Sequence, residues 1–144
     1  VASGMTAQQL RLDVVAENVT NSTTTRTEAG GPYRRKMVVF QSVAGRDDFR
    51  AAMARAAEGL TPNAGAPTAG GVRVTQIVED PSPMKLVYDP THPDANEDGY
   101  VEMPNVDMVK EMTDAMAATQ AYSANVTAFN TLKSVVAKGL EIGR

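Results

Sequence analysis

The 144-residue sequence predicts an α+β protein: N- and C-terminal helices pair as a coiled coil, and a small β-rich domain is inserted between them. Three observations predict this. Apolar residues recur at helical spacing near both ends of the chain. Short runs rich in β-branched and aromatic residues occupy the middle, broken by Pro and Gly. From Val106 to Ile142 there is no Pro, and Gly139 is the only Gly. The expected division is an N-terminal helix within 1–25, a β-rich region over 26–104 with a variable loop near 44–70, and a long C-terminal helix within 105–144.

Residues 2–20 read as the first helix. Val1, Met5, Leu12, Val15 and Val19 follow the 4-3 spacing of an a/d seam, with Gln8 as its polar break. The run from Asn18 to Thr25 ends it, because Asn, Ser and Thr side chains compete for backbone hydrogen bonds. An extended segment follows to Gly30-Gly31-Pro32. Residues 33–43 read as a strand that opens on Tyr33 and the basic trio Arg34-Arg35-Lys36. A short helix is expected over 47–58, with Asp47 as cap and Gly59 as stop, then a loop over 59–71. Strands are expected at 72–78, 85–88 and 100–103. The long helix then opens at Pro104 or Asn105. Met108, Met112, Ala115, Tyr122, Val126, Phe129, Val136 and Leu140 lie on its seam, and Thr119 and Lys133 interrupt it. Acids near its start and Lys133 and Lys138 near its end complement the helix dipole.

Composition excludes several functions. The net charge is −3, whereas a nucleic-acid binder carries a basic excess. There is no cysteine, which removes disulfides, thiolate catalysis and zinc-thiolate sites. No apolar run reaches the ~20 residues of a membrane span, so no direct membrane insertion is expected. No basic segment followed by an apolar one opens the chain, so no cleavable secretory signal is expected. Aromatics are only 5%, and Ala and Met supply much of the apolar content, which suits adaptable helix packing. Residues 79–114 hold ten acids against Lys85 and Lys110, so the remainder of the chain is basic, an asymmetry that favours oriented contacts between subunits.

A length mismatch points to assembly. A helix of about 37 residues spans roughly 55 Å, and one of about 19 spans roughly 30 Å. The short helix cannot cover the apolar stripe of the long one, and the β region is too small to cover the rest. Exposed stripes of that size mark interfaces, so the terminal helices are expected to finish their burial against other chains. The N-terminal segment, marginal as an isolated helix, is expected to order on assembly.

Catalytic and metal-binding patterns are weak. Asp94, Asn96, Asp98, Gly99 and Val101 match the first half of an EF-hand loop. The twelfth position is Asn105 rather than a bidentate Glu, and Pro90 and Pro93 forbid an entering helix, so a calcium-binding adaptor using 94–105 is only an alternative reading. His92 is the only histidine and sits in a turn beside Pro93; a hydrolase built on it lacks a relay. Gly30-Gly31 lacks a phosphate-loop pattern. No catalytic residue, cofactor or metal is expected, and the protein is not expected to be an enzyme. Asn125 and Asn130 lie beside the long seam, where a polar residue fixes register or caps a neighbour.

Ser3-Gly4-Met5-Thr6-Ala7-Gln8, Arg11, and Ala16-Glu17-Asn18-Val19-Thr20-Asn21 with Thr24 resemble the N-terminal signature of the flagellar rod and hook axial proteins. Glu111-Met112, Ala121-Tyr122-Ser123-Ala124-Asn125-Val126, Phe129-Asn130, Lys133 and the ending Gly139-Leu140-Glu141-Ile142-Gly143-Arg144 resemble their C-terminal signature. The middle runs Gly31-Pro32-Tyr33-Arg34-Arg35, Glu79-Asp80-Pro81-Ser82-Pro83 and Val87 to Ala95, with Asp98 to Val101 and Pro104-Asn105-Val106, are similar to the proximal rod branch. Thr20 departs from the usual Ala of the Asn-x-Ala-Asn motif, and Thr119-Gln120 replaces Ser-Arg before Ala-Tyr. Another axial rod or hook subunit is the runner-up.

The resemblance implies a structural subunit of the bacterial flagellar basal-body rod, the drive shaft between motor and hook. It implies terminal helices coiled together in an inner tube and a β-rich outer layer. The implied partners are copies of itself, other rod proteins, the rod-to-membrane-ring adaptor and ring, and the flagellar type III export apparatus, with no nucleic acid. Its implied location is the periplasmic rod. The residues expected at the assembly interface are Met5, Leu12, Val15, Asn18, Val19 and Asn21 of the first helix. In the long helix they are Met108, Met112, Met116, Tyr122, Asn125, Val126, Phe129, Asn130, Val136, Leu140 and Ile142.

Overall fold

The computed structural model describes residues 1–42, Met53 and 71–143. The element order is α1 (Ala2–Thr20), β1 (Lys36–Ser42), β2 (Val72–Glu79), β3 (Lys85–Tyr88), β4 (Tyr100–Met103) and α2 (Met108–Ile142). The expected helix over 47–58 and the loop after it lie outside the described residues, apart from Met53 and Gly71.

The β region is two separate antiparallel ribbons. β1 pairs with β2 from Lys36↔Glu79 to Ser42↔Val72, with an irregularity between Val39 and Phe40. β3 pairs with β4 from Lys85↔Met103 to Tyr88↔Tyr100. The rings of Tyr88 and Tyr100 meet edge to face at 5.3 Å, which stiffens the second ribbon. Gly99, at φ 81°, makes the turn into β4; a Cβ there would meet the Tyr88 ring at 2.9 Å.

α1 stands between the β1–β2 ribbon and α2, touching both. It runs antiparallel to α2: Asn18 meets Glu111 at one end, Arg11 pairs with Asp114, and Gly4 faces Asn125 at the other. The β1–β2 ribbon runs along α1, since Lys36 bonds to Asn18 while Val72 bonds to Ser3.

Two boundaries differ from expectation. β1 begins at Lys36 rather than Tyr33, because the preceding groups bond elsewhere: the Tyr33 amide donates to the Thr24 carbonyl and the Arg35 amide to the Asn105 side chain. α2 begins at Met108 rather than at Pro104 or Asn105. Asp107 is its cap, accepting from the Val109 amide at 3.0 Å, and Pro104, Asn105 and Val106 are buried in the approach to it.

The seam also differs. The buried face of α1 is Ala7, Val14, Val15 and Asn18, with Met5, Leu12 and Val19 half-buried and Val1 exposed. On α2 the buried residues are Glu111 and Ala118, while Met108, Met112 and Met116 face outward. The helices approach closely through small residues; a Cβ at Gly4 would sit 2.8 Å from Asn125 Oδ1. Large apolar residues mark the a/d pattern, but the space between these helices admits Gly, Ala and one paired carboxylate.

Candidate assembly surface

The joint between the terminal helices and the β region is polar. Asn18 is 1% exposed and uses both ends of its amide. Its Nδ2 donates to the Lys36 carbonyl at 2.9 Å and to Glu111 Oε2 at 3.3 Å; its Oδ1 accepts from the Lys36 amide and the Tyr33 hydroxyl, each at 2.9 Å. A side chain thus pairs with Lys36 as a neighbouring strand would.

Glu111 is 0% exposed. Its second oxygen takes the Arg35 Nε–H, so a buried charge is matched by a cation and an amide, as burial requires. Arg35 reaches on through Nη1 to Asp80 at 3.2 Å. Burial alone would weaken the Arg35 charge, but its hydrogen bond to Glu111, the Glu111 charge and then Asp80 hold it more firmly protonated than usual. Asp80 is held below the ordinary carboxylate range, first by the Ser82 hydroxyl and amide and then by Arg35. Burial, followed by the charges of Glu17, Glu111 and Glu79, pushes the Tyr33 phenol up to about 12, so it remains a donor to Asn18. Asn105 completes the joint, accepting from the Arg35 amide at 2.8 Å and donating to the carbonyls of Asp80 and Ser82.

The loop that resembles half an EF-hand spends its oxygens inside the protein. Asp94 accepts from Thr25 at 2.7 Å and from Arg26; these bonds, Thr25 first, hold its carboxyl below the usual range. Asn96 Oδ1 accepts from the amides of Asp98 and Tyr100 and closes the turn. His92 Nδ1 accepts from the Asp94 amide at 3.0 Å, a turn contact. Among the described residues no group of three or more His, Cys, Asp or Glu is placed to hold a metal.

The residues singled out from the sequence fall into three sets. Val15 and Asn18 are buried, and Met5, Leu12, Val19, Asn21, Tyr122, Asn125 and Val126 are half-buried; of these, Asn18 meets Glu111 and Asn125 faces Gly4 across the two helices. Asn21 closes α1, donating to the Glu17 carbonyl at 3.0 Å, and Asn125 donates to the Ala121 carbonyl at 2.8 Å. Met108, Met112, Met116, Phe129, Asn130, Val136, Leu140 and Ile142 are exposed in the single chain. α2 runs on past Asn125, where α1 ends, and its free part carries Leu132, Val136, Leu140 and Ile142 at 53%, 61%, 70% and 85% exposure. Leu132 belongs to this stripe, one turn before Val136, and was missed by the seam pattern, which steps from Phe129 to Lys133; Val135 is exposed beside it. Tyr33, Arg35, Asn105 and Glu111 were also missed as a joint. The available signal was an acid at 111, one turn inside an otherwise apolar helix face, with an arginine beside a tyrosine at the strand start.

Residues 97–142 match the family model described as flagellar basal body rod FlgEFG protein C-terminal, and residues 1–26 match that of the flagella basal body rod protein. The chain is 48% identical over 147 residues to the flagellar basal-body rod protein FlgC of Bacillus subtilis (strain 168), covering 99% of this chain and 93% of that protein. It is 41% identical to FlgC of Borreliella burgdorferi, over 98% of this chain and 91% of that one. It is 42% identical to FlgC of Escherichia coli O6:H1, over 99% and 92%.

Proposed function

The chain belongs to the flagellar basal-body rod protein FlgC family, and from that premise we propose that it builds the proximal rod, the shaft that carries motor torque across the periplasm to the hook. It is a structural subunit of the basal-body rod. In this reading the terminal helices pack as a coiled coil with those of neighbouring subunits to form an inner tube, and the two ribbons form an outer layer. Neighbours are copies of itself, other rod proteins, and the adaptor and ring that seat the rod in the membrane. Delivery is through the flagellar type III export apparatus.

The observation that carries the reading is the free end of α2. Its apolar stripe has no cover among the described residues, and a helix of 35 residues outruns one of 19, which supports a stripe that another subunit covers. Electron microscopy of basal bodies tests it. A strain lacking this protein, supplied with a Leu132→Asp, Val136→Asp variant, is expected to stop before a complete rod forms. Full rods and hooks built on that variant would overturn the proposal.

A further inference from the structure

We propose that an acidic groove at the α1 C-terminal pole receives the C-terminal helix end of a second copy of this chain, adjoining it in the rod; this rests on the rod reading above. The groove is open and holds about 980 Å³. A helix about 10 Å wide fills roughly 400–500 Å³ per 5.4 Å turn, so the groove admits about two turns. Its walls carry Glu17, Glu28, Glu79 and Glu102, and Tyr33 and Leu86 line it. Glu17 pairs with Lys36, and Arg34 is turned to the carbonyls of Asp80 and Ser82. Among the described residues Glu28, Glu79 and Glu102 have no ion pair. Three glutamates in a mixed lining that includes Tyr33, Met84 and Leu86 suit a cationic amphipathic helix.

The chain carries such an element at its opposite pole. Between Asp114 and Glu141 the only charged side chains are Lys133 and Lys138, beside the exposed Leu132, Val136 and Leu140. The groove lies at the Asn18–Glu111 end of the molecule, and Ile142 lies 31 residues further along a continuous helix, roughly 46 Å by helical rise. A chain therefore cannot fill its own groove. A helix end in the groove of the next subunit is a head-to-tail contact, the kind that propagates into a rod when its rotation does not close a ring. The lysines and the exposed apolar residues are this chain's own, so the occupant is the α2 end of a second copy.

The test is photo-crosslinking in assembled rods. The photoreactive residue p-benzoylphenylalanine is placed at Leu86, and separately at Glu102, in the full chain in cells. Basal bodies are purified and irradiated, and the linked peptides are read by mass spectrometry. The expected product joins either position to residues 129–144 of a second copy. Links only elsewhere, another rod protein's helix included, or none while the variants are present in the rods, would overturn the groove assignment and leave the rod reading intact. Absence of the unaltered chain from basal bodies would instead remove the rod reading. A second measurement does not depend on assembly: binding of a synthetic peptide of residues 129–144 to the full chain. Glu79→Lys with Glu102→Lys is expected to weaken binding at least tenfold, and Lys133→Glu with Lys138→Glu in the peptide to restore it. No binding to the unaltered chain, or equal binding to both, overturns the proposal.

Discussion

Asn18 Nδ2 of the first helix and Glu111 Oε2 of the last stand 3.3 Å apart, buried together under Tyr33 and Arg35. Residues 93 positions apart in sequence thus share one polar centre, and the same centre holds the start of β1.

Replacing Glu111 by Gln keeps its shape and removes the anion that Arg35 serves. Breaking one side of a buried pair costs about 3–5 kcal/mol; because Arg35 keeps some solvent access, a loss of about 2–3 kcal/mol is expected. Urea melts of the purified chain read this directly, and a loss under 0.5 kcal/mol, on the order of a plain surface change, would contradict the assignment.

Asn18→Asp is expected to be at least as damaging as Asn18→Ala. The carboxylate loses both donors and stands against Glu111, whereas Ala only strands the groups it served. The ranking is checked by comparing denaturation midpoints; an Asp variant as stable as the native chain contradicts the Nδ2 orientation.

Gly4→Ala tests the helix contact. Inside a helix Ala is favoured over Gly by about 0.8–1 kcal/mol, but here its Cβ meets Asn125 Oδ1. The substitution should therefore gain little or lose stability in the native background and gain up to about 1 kcal/mol when Asn125→Ala is also present. A double-mutant cycle measures this coupling; additive effects would mean that the two residues are not in contact.

The Tyr33 phenol gives an alkaline limb. Its folded value lies near 12 against 10.0 ordinarily, so between those values the unfolded chain has lost the proton that the folded chain keeps. Stability should fall as pH rises across that window. Tyr33→Phe should flatten that limb in melts at pH 9 to 12. At the acid end Asp80 acts with the opposite sign: its lowered value adds stability above about pH 4 that is lost as pH falls further, and Asp80→Asn should reduce that slope.

The elements were largely legible in the sequence. Pro, Gly and the Asn-Thr run bracket α1 and the strands, and the long Pro-free stretch reads as α2. The buried face was less legible. Helical spacing ranks positions by bulk, so it drew attention to Met108, Met112 and Met116, which face outward, and passed over Ala7, Ala118 and Glu111. The start of α2 was misplaced for a similar reason: Asn105 looks like a cap, but its amide is committed to Arg35, Asp80 and Ser82, partners 23 to 70 residues distant that no local pattern reveals.

Packed methyl groups resist being pulled apart, yet they slide past one another at little cost. Hydrogen bonds with fixed directions oppose sliding, and the seam between α1, β1 and α2 is fastened by them at Asn18, Arg35 and Asn105. That fastening works as a keyway does on an axle. When the terminal helices turn, the ribbons must turn with them, and slip between the two would first have to shear a buried charge away from its partner.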